Sequence, residues 1–307
     1  MNIAPDELSM ALKLLDGDDL VGMPTETVYG LAGNAESAAA VAKIYGLKGR
    51  PSFNPLIAHI AGMEMAQKQA EFSELALRLA DAFWPGPLTL VLPSAKTNSI
   101  CDLARADLDT QALRWPGHTD AQTLIREFGR PIAAPSANKS GRISPTTASH
   151  VRGEFGSDLK LVLDGGDSVL GLESTVIAVL NETVTLLRPG SIPSTDIESV
   201  CGKLESAIHD DHAPKSPGML SRHYSPDAKV RLNVTEPAPD EAFLAFGSDH
   251  ETATLNLSPS GDLQEAAANL YAMLRELDAS FSSIAIAPIP DAGLGEAIND
   301  RLRRAAL

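Results

Sequence analysis

The sequence predicts an α/β fold with a mixed sheet, followed by a smaller second α/β unit. Between residues 8 and 163, segments in which apolar residues recur with helical spacing alternate with short apolar runs. Two more apolar runs, 176–180 and 184–187, then follow each other closely. Helices that alternate with strands are typical of α/β domains, and the clustered strands favour a mixed sheet.

The individual elements follow from these patterns along the chain. Leu8, Ala11, Leu12 and Leu15 lie on one helical face, and residues 38–45 and 75–83 repeat that period. Residues 20–22 form a buried strand that enters a loop. The other apolar runs predict strands at 56–60, 88–92, 112–115, 132–134, 159–163, 176–180 and 184–187.

A polar segment that contains two prolines divides the chain after residue 208. We expect a first domain at 1–208, a linker or lid at 209–227 and a second domain at 228–307. In the second domain, the patterns predict strands at 230–234, 242–246 and 284–286 and helices at 262–277 and 296–306. His209 and His212 have the spacing of a metal site, but in such a polar segment a solvated surface is the better interpretation.

Composition excludes several classes of protein. The 307 residues carry a formal charge of -15, which argues against a surface that holds nucleic acid by itself. Two isolated cysteines, Cys101 and Cys201, form neither a disulfide framework nor a zinc motif. The N-terminus lacks the pattern of a signal peptide and no long apolar run follows, so we expect a cytoplasmic protein.

Two short stretches carry the chemistry. Lys48-Gly49-Arg50-Pro51 offers two cations on a constrained turn, and Pro135-Ser136-Ala137-Asn138 offers a hydroxyl and an amide. A polyphosphate is bound by the ammonium of a lysine, the bidentate guanidinium of an arginine and neutral hydrogen-bond donors. The sequence has no P-loop motif, so any nucleotide must be bound by another scaffold. A solvated turn is the alternative for Lys48 and Arg50. In either case we expect both side chains on an exposed loop.

The motifs together resemble a known family. Pro24-Thr25-Glu26-Thr27-Val28-Tyr29-Gly30-Leu31, Lys48-Gly49-Arg50-Pro51, Ser136-Ala137-Asn138 and Leu187-Arg188-Pro189-Gly190 are similar to the YrdC-like domain. Their order and spacing resemble the family that makes L-threonylcarbamoyladenylate. The resemblance extends to Ser216-Pro217-Gly218-Met219, Arg222-His223-Tyr224 and Asp300-Arg301-Leu302, which indicates the two-domain form. It implies a twisted mixed sheet followed by a smaller Rossmann-like domain.

The resemblance also implies roles for particular residues. Lys48 and Arg50 are the expected catalytic cations. The expected ATP-binding residues are Lys48, Arg50, Asn54, Thr110, Ser136, Asn138, Arg188 and Tyr224. The expected threonine-binding residues are Thr27, His59, Arg114 and Ser174. Without the resemblance, a core histidine is the better interpretation of His59. Thr110 and Arg114, which share one face of a strand, are then equally part of an edge strand.

The implied reaction joins L-threonine, bicarbonate and ATP to L-threonylcarbamoyl-AMP and pyrophosphate. No protein-bound metal is expected, because Mg²⁺ arrives with ATP and is held by phosphates and water. The product serves threonylcarbamoylation of adenosine in tRNA by a separate transferase system. We do not expect this chain alone to bind tRNA or a membrane.

Two other functions remain as alternatives. A carbamoyltransferase that uses carbamoyl phosphate shares the YrdC-like domain, but such proteins carry paired C-x-x-C motifs that are absent from this sequence. An RNA-binding module is the other alternative, and the negative charge and the lack of an aromatic and basic stripe argue against it.

Overall fold

The computed structural model describes residues 3–206, 224–248, 250 and 252–307. In chain order its helices are α1 Pro5–Asp16, α2 Ala38–Lys48, α3 Met63–Gln69, α4 Glu74–Phe83, α5 Asp102–Arg105, α6 Thr119–Phe128, α7 Ala148–Phe155, α8 Ser194–Cys201, α9 Leu263–Asp278 and α10 Leu294–Ala305. Its strands are β1 Val21–Met23, β2 Gly30–Asn34, β3 Ala58–His59, β4 Leu88–Pro93, β5 Thr110–Arg114, β6 Ile132–Ala133, β7 Thr175–Leu180, β8 Thr183–Arg188, β9 Glu205–Ser206, β10 Lys229–Arg231, β11 Ala242–Ala245, β12 Leu255–Asn256 and β13 Ser283–Ile286.

The first domain is built on a sheet in the order β1-β2-β6-β3-β5-β4-β7-β8-β9. Parallel pairs, such as β3 with β5 and β4 with β7, occur beside antiparallel pairs, such as β4 with β5 and β7 with β8. The predicted mixed sheet is therefore confirmed. Aliphatic side chains of this sheet and of the surrounding helices form the main hydrophobic core, as expected for a sequence with 5% aromatic residues.

The strand order brings polar residues to one edge of this sheet. His59 at the end of β3 lies opposite Arg114 at the end of β5. Strand β4 runs antiparallel to β5 and parallel to β7, so β4 and β7 both begin at this edge. Strand β8 returns antiparallel to β7 and ends there with Arg188. Glu173 and Ser174, which immediately precede β7, reach the same edge.

The second domain contains a smaller sheet, in which β10, β13, β11 and β12 are all parallel. Helix α9 begins after Asp262, whose carboxylate accepts hydrogen bonds from the first free amides of the helix. Together with α10, it buries an aliphatic face in the domain core. This confirms the predicted smaller, Rossmann-like α/β unit.

The two domains share a hydrophobic core. Val28, Ile143 and Leu172 of the first domain lie in the same buried cluster as residues of α9 and α10. Gly171 has a left-handed φ of 67° and lies against the backbone of α9. The loop that leads into Glu173 and Ser174 is therefore packed directly against the second domain.

Several elements differ from the sequence predictions. Residues 159–163 were expected to be a strand, but they make a single bridge, between Val162 and Gly22. Strand β2 was not predicted, because two of its five residues are glycines, which are poor strand formers. Gly33 is needed there, since a Cβ at this position would lie 2.8 Å from the Leu20 side chain.

The domain boundaries at 208 and 227 remain a prediction. Residues 207–223, which include His209, His212 and most of the expected linker, lie outside the described residues. The described chain resumes at Tyr224, and β10 begins at Lys229.

Replacing Gly171 with Ala is expected to weaken the contact between the domains. A Cβ at Gly171 would lie 2.5 Å from the Ala268 Cα, whereas a Cβ at Gly166, with φ of 83°, would meet no atom within 4 Å. Gly166→Ala therefore measures the cost of the left-handed backbone alone, about 1 kcal/mol. We expect Gly171→Ala to lower the free energy of unfolding in urea by about 1 to 3 kcal/mol more. Equal losses in the two variants would contradict this packing.

Candidate active site

A buried cavity lies where the polar edge of the sheet meets the second domain. It is narrow, with a volume of about 50 Å³. Its lining residues are Thr25, Thr27, Val28, Gly30, Arg50, Ile57, His59, Arg114, Ala134, Pro135, Ser136, Glu173, Ser174, Arg188 and Tyr224. Eight of these residues were predicted as site residues: Thr27, Arg50, His59, Arg114, Ser136, Ser174, Arg188 and Tyr224.

Lys48 and Arg50 are buried, contrary to the exposed loop expected from the sequence. Their exposed fractions are 3% and 8%. Helix α2 ends at Lys48, and Gly49 in a left-handed conformation turns the chain inward. The expectation was wrong because the burial depends on the Ser136 to Asn138 loop, about ninety residues further along the chain.

Backbone carbonyls hold both of these cations. Lys48 Nζ donates to the carbonyl oxygens of Ser136, at 2.6 Å, and Asn138, at 2.5 Å. Arg50 donates to the carbonyls of Asn54, at 3.2 Å, and Pro55, at 2.9 Å. Neither cation forms an ion pair with a carboxylate among the described residues. Burial, followed by the charge of Arg50, holds the pKa of Lys48 well below its ordinary value, and burial lowers the pKa of Arg50 to about 10.

Arg114 organises the side of the cavity that was predicted to bind threonine. It donates from Nη2 to Glu26, at 2.6 Å, and from Nη1 to the Thr27 hydroxyl, at 2.8 Å. The Thr25 hydroxyl accepts from the amides of Thr27 and Val28, which fixes the turn that carries Glu26. Burial raises the pKa of the Glu26 carboxyl, but the charge of Arg114 and the hydrogen bonds from Gly117 and Arg114 together outweigh burial, so the net pKa is lowered. Glu26 is therefore an anion that orients Arg114.

His59 lies beside Arg114 and is 3% exposed. Its Nδ1 has no hydrogen-bond partner among the described residues. Burial, followed by the charge of Arg114, lowers the pKa of His59 to about 3. The imidazole is therefore neutral near pH 7 and can donate or accept one hydrogen bond in the cavity.

Ser174 and Arg188 are hydrogen-bonded to each other. The Arg188 guanidinium donates to the Ser174 carbonyl, at 2.8 Å, and to its hydroxyl, at 3.1 Å. The Ser174 hydroxyl also shares a 2.7 Å hydrogen bond with Thr89. Arg188, predicted to bind the nucleotide, and Ser174, predicted to bind threonine, thus form one unit.

Four predicted residues do not line the cavity: Lys48, Asn54, Thr110 and Asn138. Asn54 and Asn138 lie just behind it, and their buried side chains contain atoms with no partner among the described residues, namely both amide atoms of Asn54 and Oδ1 of Asn138. Buried polar atoms without a partner are uncommon, so the Asn54 amide and the Asn138 Oδ1 fit a ligand site. Thr110 begins β5 while Arg114 ends it, which separates them by about 13 Å at ordinary strand rise. The structure does not bring Thr110 to the cavity.

Sequence reasoning assigned no role to several residues of the site. Glu26 belongs to one of the motifs described above and Glu173 directly precedes Ser174, but the sequence did not indicate which residues form hydrogen bonds with them. Glu173 accepts from Tyr271 and Arg301 of the second domain, about a hundred residues further along the chain. No spacing pattern could have revealed these contacts.

The cavity has no set of ligands for a protein-held metal ion among the residues that the structure describes. Among the described residues, no group of three or more His, Cys, Asp or Glu side chains lies close enough together to bind one. Glu173 is the carboxylate that lines the cavity, and hydrogen bonds and an ion pair already engage it. The expectation that Mg²⁺ is held by phosphates and water stays a prediction.

The fold and the site define a two-domain α/β protein with a cavity lined by cations at strand ends, and this lining favours small anionic ligands. None of the helices described here is both long and apolar enough to cross a membrane.

Comparisons with known proteins identify the family. The Sua5/YciO/YrdC family, described as "Telomere recombination", matches residues 13–190, and the family described as "Threonylcarbamoyl-AMP synthase, C-terminal domain" matches residues 192–307. The threonylcarbamoyl-AMP synthase of Pyrococcus abyssi is 41% identical over 94% of this chain and 90% of that protein. The threonylcarbamoyl-AMP synthase of Bacillus subtilis is 38% identical over 98% and 93%. The chain belongs to the threonylcarbamoyl-AMP synthase family.

A solved structure agrees with this conclusion. The crystal structure of P. abyssi Sua5 complexed with L-threonine has a TM-score of 0.89 to this chain and 38% sequence identity. The match covers 97% of this chain and 94% of that one, so it includes both domains.

The neutral state of His59 predicts a pH dependence of stability. Its pKa is about 3 in the folded chain and about 6.5 when unfolded, so its contribution is complete above pH 6.5 and is lost as pH falls towards 3. Between about pH 6.5 and 5, we expect the free energy of unfolding of the wild type to fall by about 1.5 kcal/mol more than that of His59→Gln. Buried carboxylates and His150 contribute equally to both proteins. Parallel pH profiles in urea unfolding would show that His59 is not a buried neutral imidazole.

Proposed function

We propose that this chain joins L-threonine, bicarbonate and ATP to form L-threonylcarbamoyl-AMP and pyrophosphate. The amine of threonine and bicarbonate first form a carbamate with loss of water. A carbamate oxygen then attacks the α-phosphorus of ATP, and pyrophosphate leaves. ATP, bicarbonate and the carboxylate of threonine all carry negative charge. The observation that carries the proposal is therefore the group of buried cations Arg50, Arg114 and Arg188 around one cavity.

For the nucleotide, we propose that Arg50 and Arg188 neutralise the triphosphate and the departing pyrophosphate. Ser136 donates its hydroxyl to a phosphate, and the unsatisfied amide of Asn54 and the unsatisfied Oδ1 of Asn138 bind the nucleotide. Lys48 supports this site from behind by holding the carbonyls of Ser136 and Asn138, and it keeps one N–H for a phosphate. Thr110 has no part in this proposal.

For threonine, we propose that Arg114 binds the carboxylate. Its hydrogen bonds to described residues use three of the five N–H groups of a guanidinium. The same cavity is also lined by neutral side chains that can bind the amine or the hydroxyl of threonine, namely those of Thr27, His59 and Ser174. A neutral His59 also avoids protonating the amine that must attack bicarbonate.

We propose that Mg²⁺ enters with ATP, held by phosphates and water rather than by protein carboxylates. When bound, it supplies further charge neutralisation at the phosphates. The chain itself supplies alignment and a water-poor cavity, and both favour formation of a carbamate and a mixed anhydride that water would hydrolyse.

The cavity is smaller than the few hundred Å³ of an ordinary ligand pocket, so we propose that Tyr224 moves to admit ATP. Tyr224 lines the cavity and stacks on Tyr271 of the second domain, with ring centroids 5.8 Å apart. The segment at 209–223 lies outside the described residues, so the idea that it acts as a lid stays a prediction.

We further propose that the product passes to a separate transferase system that modifies adenosine in tRNA, and that the chain works in the cytoplasm. No observation in the structure favours the RNA-binding module or the carbamoyltransferase.

The proposed reaction is tested by pyrophosphate release from ATP and bicarbonate with each amino acid in turn. We expect release that depends on threonine and on bicarbonate, with serine and glycine far weaker. Release that is equal with serine or glycine would contradict the threonine assignment, and release without bicarbonate would contradict the carbamate step.

Arg114→Lys is expected to raise the KM for threonine by about tenfold or more, and that for ATP much less. A lysine keeps the positive charge opposite Glu26 but cannot bind a carboxylate in the forked geometry of a guanidinium. Arg130→Lys, which alters a surface ion pair with Asp16, is the matched control and should behave as the wild type. Equal changes in the two KM values would move Arg114 away from the threonine carboxylate.

A further inference from the structure

Glu173 places a negative charge in a cavity that otherwise collects cations. It is buried, it lines the cavity, and it directly precedes Ser174. Its carboxylate accepts hydrogen bonds from the Ser144 hydroxyl at 2.6 Å, the Tyr271 hydroxyl at 2.9 Å and Arg301 Nε at 2.8 Å. Since ATP and the carboxylate of threonine are both anionic, a free carboxylate at this position would repel them.

Arg301 is the cation that faces Glu173 from the second domain. It lies on α10 with 1% of its surface exposed, so it is among the most completely buried charges of the described chain. Its Nη2 donates to the Pro189 carbonyl at 2.9 Å, and its guanidinium carbon lies 5.1 Å from the centre of the Tyr224 ring. One guanidinium therefore contacts the residue before Ser174, the residue after Arg188 and an aromatic wall of the cavity.

The charge of Arg301 controls the state of Glu173. Burial raises the pKa of this carboxyl, but the charges of Arg301 and then Arg188, with the hydrogen bonds from Ser144 and Arg301, together outweigh burial and lower the pKa to about 2. Without Arg301, the carboxylate would keep Arg188 as its nearby cation. In that case we expect Arg188 to turn towards Glu173 and away from the Ser174 carbonyl to which it now donates.

We propose that Arg301 is a positioning residue for the synthesis reaction, acting by neutralising Glu173 so that Ser174 and Arg188 stay turned towards the substrates. The second domain then has a direct part in building the cavity, because this cation belongs to it. The inference rests on the proposed roles of Ser174 and Arg188.

The test compares KM values for ATP and threonine in the full-length chain, measured by pyrophosphate release. Arg301→Met is expected to raise both KM values by about tenfold or more. Adding Glu173→Gln to Arg301→Met removes the unpaired negative charge, and we expect both KM values to return to within about threefold of the wild type. Arg304→Met is the matched control, because Arg304 is buried on the same helix and pairs with Asp300, as Arg301 also does, but forms no ion pair with Glu173.

Unchanged KM values in a folded Arg301→Met would overturn the inference, as would a double variant that remains as impaired as Arg301→Met. If Arg301→Met does not fold, Arg301→Lys and the double variant decide, since both leave Glu173 or its replacement without an unpaired negative charge. A tenfold or larger KM increase in either of these, with normal thermal unfolding, would show that Arg301 acts by shape rather than by charge. Wild-type chain that releases no pyrophosphate with threonine would instead contradict the proposed function itself.

Discussion

Lys48 and Arg50 carry positive charge into the interior, where backbone carbonyls rather than carboxylates face them among the described residues. Carbonyls satisfy the hydrogen bonds of a cation but do not cancel its charge, and removing a charge from water costs several kcal/mol. This cost explains the lowered pKa values of both side chains. The surrounding fold holds both cations in place, and our proposal is that an anionic ligand offsets their charge.

Further cations of the first domain line the same cavity as Arg50. The strand order brings His59, Arg114 and Arg188 to the same edge of the sheet. Glu26 and Glu173 then balance part of the charge, each paired with one arginine. Because the partner of Glu173 belongs to the second domain, both domains are needed to set the charge of the cavity.

The sequence revealed the chemistry of the site better than its geometry. The fixed spacing of Lys48 and Arg50 predicted a cationic site, and eight predicted residues do line the cavity. Burial of Lys48 could not be predicted, since it depends on carbonyls about ninety residues away. Strand periodicity correctly predicted that Thr110 and Arg114 lie on one face of β5. It could not predict that the two residues lie at opposite ends of that strand. Strand β2 was missed because its glycines serve close packing rather than strand propensity.

The central claim is that the phosphates of a nucleotide neutralise buried cations, and urea unfolding with bound ligand tests it most directly. We expect ATP at about 100 times its dissociation constant to raise the free energy of unfolding by about 2.7 kcal/mol at constant ionic strength. Adenosine at the same concentration should raise it far less, because it brings no charge to Arg50 or Arg188. Equal stabilisation by ATP and adenosine, or none by ATP, would contradict the account.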